Sequence, residues 1–149
     1  MQILQQLKAE YSEIVACSAI AEGADSIFAD AALALDIPLE IVLPFDEYEN
    51  DFETAAAQET YLRLKAAATI CSWLPFKARS NDAYYAGMEW VVERSAIVVA
   101  AWNGKANAGR GGTSDGVRKI QEEGLDWIHI DTKHLEVNWH IKNSKEKKS

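Results

Sequence analysis

The sequence predicts an α/β protein: a doubly wound, mainly parallel sheet with helices on both faces, forming a three-layer sandwich. Three observations carry that expectation. Five short apolar, β-branched runs recur at 14–18, 39–43, 69–74, 96–102 and 127–130, roughly 25 to 30 residues apart, the repeat length of βαβ units. The stretches between them show helical spacing of apolar residues. The strand runs are continuously apolar rather than alternating, as strands of a parallel sheet covered on both faces must be.

Taken in order, a helix-like segment at 3–11 precedes the first strand run. Ile27, Phe28, Ala31 and Leu35 mark one face of the first connecting helix, and Phe52, Ala55, Leu62 and Ala66 a face of the second. Tyr84, Met88, Val91 and Val92 mark the third, and Val117 and Ile120 the fourth, which Gly124 closes as a glycine just past a helix end does. Beyond the fifth strand run, Leu135, Val137, Trp139 and Ile141 alternate with polar residues in strand fashion.

The 149 residues suit a single domain over 1–142 followed by a basic, solvated tail at 143–149. The formal charge is −8, and the last seventeen residues hold five Lys against two acids, so the preceding body carries ten basic and twenty-one acidic residues, a net −11. Such a body repels nucleic acid, which is excluded as a partner. No apolar run reaches the roughly 18 residues of a spanning helix, and the start lacks a basic segment leading an apolar core, so neither membrane nor export is expected and the location is read as cytoplasmic. Cys17 and Cys71 each lie inside a strand run and are expected as buried, reduced thiols. His129, His134 and His140 lack metal-ligand spacing with them, and no metal or obligatory cofactor is expected.

In doubly wound sheets, ligands bind beyond the carboxyl ends of the strands. The candidate site therefore comprises the loops 19–25, 44–51, 75–81 and 103–114. Gly109, Arg110, Gly111, Gly112, Thr113, Ser114 and Asp115 lie between the fourth strand and the fourth helix. Glycines let backbone N–H groups approach a phosphate, and the helix start attracts its charge. Thr113 and Ser114 can cap that helix, and Arg110 can pair with phosphate bidentately. The alternative is an ordinary surface turn. Ala21, Glu22, Gly23, Ala24 and Asp25 form a similar turn after the first strand, where Glu22 or Asp25 can bind hydroxyls; equally, Asp25 can simply occupy a first helical turn. Asp46, Glu47, Glu49 and Asp51 can hold Mg²⁺ or be a solvated helix entrance, and Trp102 can stack on a base or pack.

Four motifs occur together: 18–25 (Ser18, Ala21, Glu22, Gly23, Ala24, Asp25), Leu43-Pro44-Phe45 with Tyr48, Asp51 and Phe52, then Trp102-Asn103-Gly104, then Gly111-Gly112-Thr113. In that order they resemble the SLOG group of Rossmann-like nucleotide-binding proteins over about 14–130. That group includes the Lonely Guy phosphoribohydrolases, the DNA-uptake protein DprA and sensor domains, and is distantly similar to nucleoside 2-deoxyribosyltransferases. The resemblance implies a nucleotide or nucleotide-sugar, such as ADP-ribose, held across the Gly23 and Gly112 loops by Ser18, the 21–25 turn, Trp102, Asn103 and the 109–114 loop.

The departures separate a binder from an enzyme. The hydrolases and transferases place a catalytic glutamate three residues after the Gly-Thr pair, and here that residue is Gly116, with Asp115 one position early and about 100° around the helix. The leading Pro-Gly-Gly of the hydrolases is Ala108-Gly109-Arg110, and the usual aspartate after the tryptophan is Asn103. The first strand and loop of the relatives have no counterpart before the helix-like start. The expectation is a sensor or regulatory domain. Its alternatives are an N-glycosidic hydrolase or transferase using Asp115, and an interaction module with a degenerate site. A homodimer is expected. The place of the relatives' first strand is to be filled by a rearranged strand order, by the segment 135–141 or by a second copy.

Overall fold

A computed structural model describes residues 1–21, 23–106 and 112–142. Among the described residues five helices and six strands follow one another: α1 (Gln2–Glu10), β1 (Ala16–Ser18), α2 (Ala24–Ala34), β2 (Leu39–Leu43), α3 (Ala55–Ala67), β3 (Ile70–Trp73), α4 (Asn81–Arg94), β4 (Ile97–Trp102), α5 (Thr113–Glu123), β5 (Asp126–Asp131) and β6 (Glu136–His140), with a 3-10 turn at Tyr48–Asp51. Each of the five predicted strand runs contains a strand, because β-branched apolar residues pack well on a pleated, buried surface.

The strands form two three-stranded sheets rather than one. β1, β2 and β3 pair in parallel, with Ala16 opposite Leu39 and Glu40 opposite Ile70. β4 and β5 pair in parallel, with Ile97 opposite Asp126, and β6 returns antiparallel to β5, with Trp127 opposite His140. β1 and β4 are not hydrogen-bonded to each other, so the edge of each that faces away from its partner carries no described strand. The segment 135–141 does form a strand, as its alternation predicts, but it does not fill the place beside β1. The Asp131 carboxylate accepts the amides of Lys133 and His134, tightening a turn that folds the chain straight back onto β5.

One core spans both sheets. It gathers Leu4 and Leu7 of α1, Leu39, Ile41 and Leu43 of β2, Ala29, Ala31 and Ala32 of α2, Tyr61 and Leu64 of α3, and Ile128 of β5. The aromatic rings of Phe45, Tyr48, Phe52 and Tyr61 pack edge to face or tilted within it, at centroid separations of 4.8 to 5.6 Å. A second cluster of Val92, Val98, Val117, Ile120 and Trp127 fills the space between α4, α5 and β4–β5.

Three expectations about faces are corrected. The buried face of α3 is Tyr61 and Leu64, whereas Ala55, Leu62 and Ala66 are exposed, so the apolar stripe runs a residue out of phase with the predicted one. Ile27 on α2 is exposed, since small Ala29, Ala31 and Ala32 make the close contact with the sheet. Cys71 is exposed and Cys17 half-buried, both as free thiols, because β3 is an edge strand and β1 has only one partner. No helix among the described residues is long and apolar enough to cross a membrane.

Candidate functional site

The loops at the carboxyl ends of β1, β2 and β3 converge on one another. After β1 the backbone enters the left-handed region at Ile20 (φ 46°), whose side chain is fully buried, and again at Gly23 (φ 96°). A β-branched residue with positive φ is strained, and the surroundings must impose it. They do so through hydrogen bonds. The buried Ser18 Oγ accepts the Ile20 amide at 2.9 Å, the Asp25 carboxylate accepts the Ala21 amide at 3.2 Å, and Ser26 Oγ donates to the Ala21 carbonyl at 2.8 Å. Tyr48, from the loop after β2, donates its hydroxyl to the Ala19 carbonyl at 3.1 Å.

Burial raises the pKa of Asp25, partly offset by the amide it accepts from Ala21. Burial, reinforced by the nearby Asp25 carboxylate, also pushes the Tyr48 phenol up, so it stays a neutral donor to the loop. Around this pair, Tyr84 of α4 donates to Asp51 at 2.5 Å and Arg79 lies 3.3 Å from the same carboxylate, with Phe45 edge-on to both Tyr48 and Tyr84. Burial and the Asp51 carboxylate together push Tyr84 up to about 12. Tyr48, Asp51 and Arg79 lie in the candidate loops 44–51 and 75–81, but their joint role with Tyr84, which lies on α4 outside those loops, is not predicted by the sequence. Their legible signal is the spacing of Pro44, Phe45, Tyr48 and Asp51 after a buried strand.

The helices that follow strands start in two ways, while α1, which precedes β1 with Met1 at its N-cap position, has no side-chain cap. Thr54 and Ser80 precede α3 and α4, and their hydroxyls accept the amides of Ala57 and Ala83 at 3.0 Å each. α2 begins at Gly23 and α5 at Gly112, and neither has a side-chain cap. Thr113 and Ser114 therefore do not cap α5: they are its first two residues, and the N-cap position is held by Gly112, which has no side chain. Gly23, Ala24 and Thr113 are exposed, so both helix ends meet solvent.

The remaining predicted residues are placed as follows. Trp102 ends β4 with its indole N–H donating to the Lys105 carbonyl at 2.9 Å and its ring 5.6 Å from His129, an arrangement that packs it onto its own loop. Asn103 accepts the Lys105 amide at 2.9 Å, beside Gly104 at φ 88°. Asp115 lies in the first turn of α5, 3.6 Å from Arg118. Gly116 is buried, and a Cβ there would meet Met88 Cγ at 3.2 Å, so the position expected to carry a catalytic carboxylate faces α4 instead. Glu22, Gly109, Arg110 and Gly111 lie outside the described residues. Among the described residues no group of three or more His, Cys, Asp or Glu is placed to hold a metal, and Asp51 of the acidic 46–51 segment is engaged with Tyr84 and Arg79. No family model matches the chain, and no curated protein matches it.

Proposed function

We propose that this chain binds a nucleotide or nucleotide-sugar derivative of the ADP-ribose type across the N-termini of α2 and α5, and that it serves as a sensor or regulatory domain with a Rossmann-like, SLOG-type sandwich. The observation that carries the reading is the contrast between helix starts. α3 and α4 each satisfy a first-turn amide with the hydroxyl of the preceding Thr54 or Ser80, while α2 and α5, which follow β1 and β4, begin at glycine without a side-chain cap. The strained, hydrogen-bonded turn at Ile20 supports the same reading, because strain of this kind is retained where a loop must hold one shape. Arg110, in the loop ahead of Gly112, would supply a fixed positive charge. An N-glycosidic hydrolase or transferase has no observation in its favour, since Gly116 packs on Met88 and Asp115 lies beside Arg118.

Calorimetry with ADP-ribose, AMP and ADP on the native chain and on Gly112→Val tests the proposal. Gly112 has φ −82°, a backbone conformation that valine also adopts, so the substitution tests the effect of a branched side chain on close approach without imposing a forbidden φ. The expected result is binding by the native chain and at least about tenfold weaker binding by the variant, a difference of about 1.4 kcal/mol. Equal binding by both would remove this loop from the site. Binding by neither would favour an interaction module without a ligand.

A further inference from the structure

Resting on the ligand position proposed above, we infer that binding is coupled to proton uptake: as an anionic nucleotide settles on the N-terminus of α2, the Asp25 carboxylate in that first turn becomes neutral, so affinity rises as pH falls. Asp25 is the second residue of α2, beside the amides that the proposed ligand engages. It is not free to swing away from an incoming phosphate. One of its oxygens accepts the Ala21 amide at 3.2 Å, and that bond is part of what holds the strained turn at Ile20. An anion at this helix end and a fixed carboxylate therefore repel at close range, in a half-buried setting that water screens poorly.

The charged and titratable groups around Asp25 offer no other relief. Tyr48 faces it from the 48–51 turn and stays a neutral phenol, its hydroxyl committed to the Ala19 carbonyl. Beyond Tyr48, Asp51 is bound by Tyr84 of α4 and by Arg79. Arg63 of α3 pairs with Asp30 further along α2, Lys8 of α1 donates to the Leu35 carbonyl at that helix's far end, and Glu40 of β2 sits opposite Cys17. Ser18 and Ser26 bring hydroxyls only, engaged with the Ile20 amide and the Ala21 carbonyl. α5 differs, since Asp115 in its first turn has Arg118 at 3.6 Å. At α2 no Lys or Arg among the described residues pairs with the carboxylate, and burial already favours its protonated form. A proton from solvent settles the conflict. It binds the oxygen that does not accept from Ala21, which turns Asp25 from a repelling charge into a donor towards the ligand while the turn keeps its bond.

ADP-ribose is the probe, because its pyrophosphate is a diester and lacks the second ionisation, at about pH 6, that a phosphate monoester such as AMP would add. Calorimetry on the full chain at fixed ionic strength should show binding at least about threefold tighter at about pH 6 than at about pH 8, with an observed heat that changes with the ionisation enthalpy of the buffer. Asp25→Asn keeps an acceptor for the Ala21 amide. It should bind at about pH 8 as tightly as the native chain does at about pH 6, with the dependence on pH and buffer removed. The histidines, on β5, on β6 or in the turn between them, are unchanged in the variant, so any contribution from them appears in both chains. Native binding that is independent of pH, that weakens towards about pH 6 as an ionised Asp25 holding ribose hydroxyls would make it, or that keeps its pH dependence in Asp25→Asn would overturn the proton uptake and leave the ligand site standing. Absence of binding at either pH would overturn both. Should the variant fail to fold, carboxyl-carbon NMR on the native chain decides: the Asp25 midpoint should rise on saturation with ADP-ribose, and an unmoved or lowered midpoint would overturn the coupling.

Discussion

Gly23 shows how narrowly the β1 turn is specified. Its φ of 96° lies where L side chains are strained, although a Cβ would meet nothing within 4 Å. Gly23→Ala should therefore lose about 1–3 kcal/mol through backbone strain alone, read as a lowered denaturant midpoint without a changed slope. Retained stability would mean that the turn relaxes freely. At the far end of the chain, Asp131 and His134 pair at 2.9 Å on the surface. Hydrogen bonds from His134 hold the Asp131 carboxyl at about 2, and the same carboxylate raises His134 above its ordinary 6.5. The depressed acid stabilises the fold at pH above its ordinary value of 3.8, and loses that contribution as pH falls towards about 2. The raised base stabilises below 6.5 and loses its contribution as pH rises through its folded value. The pair thus contributes most between about pH 4 and 6.5, and NMR titration should show the His134 midpoint falling in Asp131→Asn. An unmoved midpoint would dissociate the pair.

At the level of elements, strands were more legible than helix faces. Strand runs announce themselves because both of their faces are apolar, and all five predicted runs hold strands. The α3 stripe was misplaced because alanines at 55, 56, 57, 66 and 67 give several equivalent faces, and only tertiary packing of Tyr61 and Leu64 selects one. Gly124 at the end of α5 was read correctly, since its φ of 65° is a requirement that glycine meets at low cost. The packing of α5 on α4 was not legible, because nothing in the sequence marks Gly116 as the point of close approach to Met88. Gly116→Glu should cost about 1–3 kcal/mol by overpacking, and Met88→Ala should recover part of that loss in a double-mutant cycle on urea unfolding. Additive effects would separate the two helices at this point. The same variant should gain no glycosidic activity, as its carboxylate would be directed at α4.

For the molecule as a whole, the α/β class and the end of the sheet at which loops gather followed from the sequence, because strand spacing alone sets both. The division into two three-stranded sheets did not, since pairing between β1 and β4 depends on register and depth that periodicity leaves open. Nor did the supporting ring of Tyr48, Asp51, Arg79 and Tyr84, whose members come from three separate segments and meet only in the fold. What that ring supports is the turn leading into α2, which like α5 begins at glycine without a side-chain cap. The most direct measurement is an amide NMR titration of the full chain with ADP-ribose. The account predicts that the amides of 23–26 and of 112–115 shift together, along one saturation curve, while the capped starts of α3 and α4 stay in place. Absence of any shift, or shifts confined to α3, α4 or the β3 edge, would contradict it.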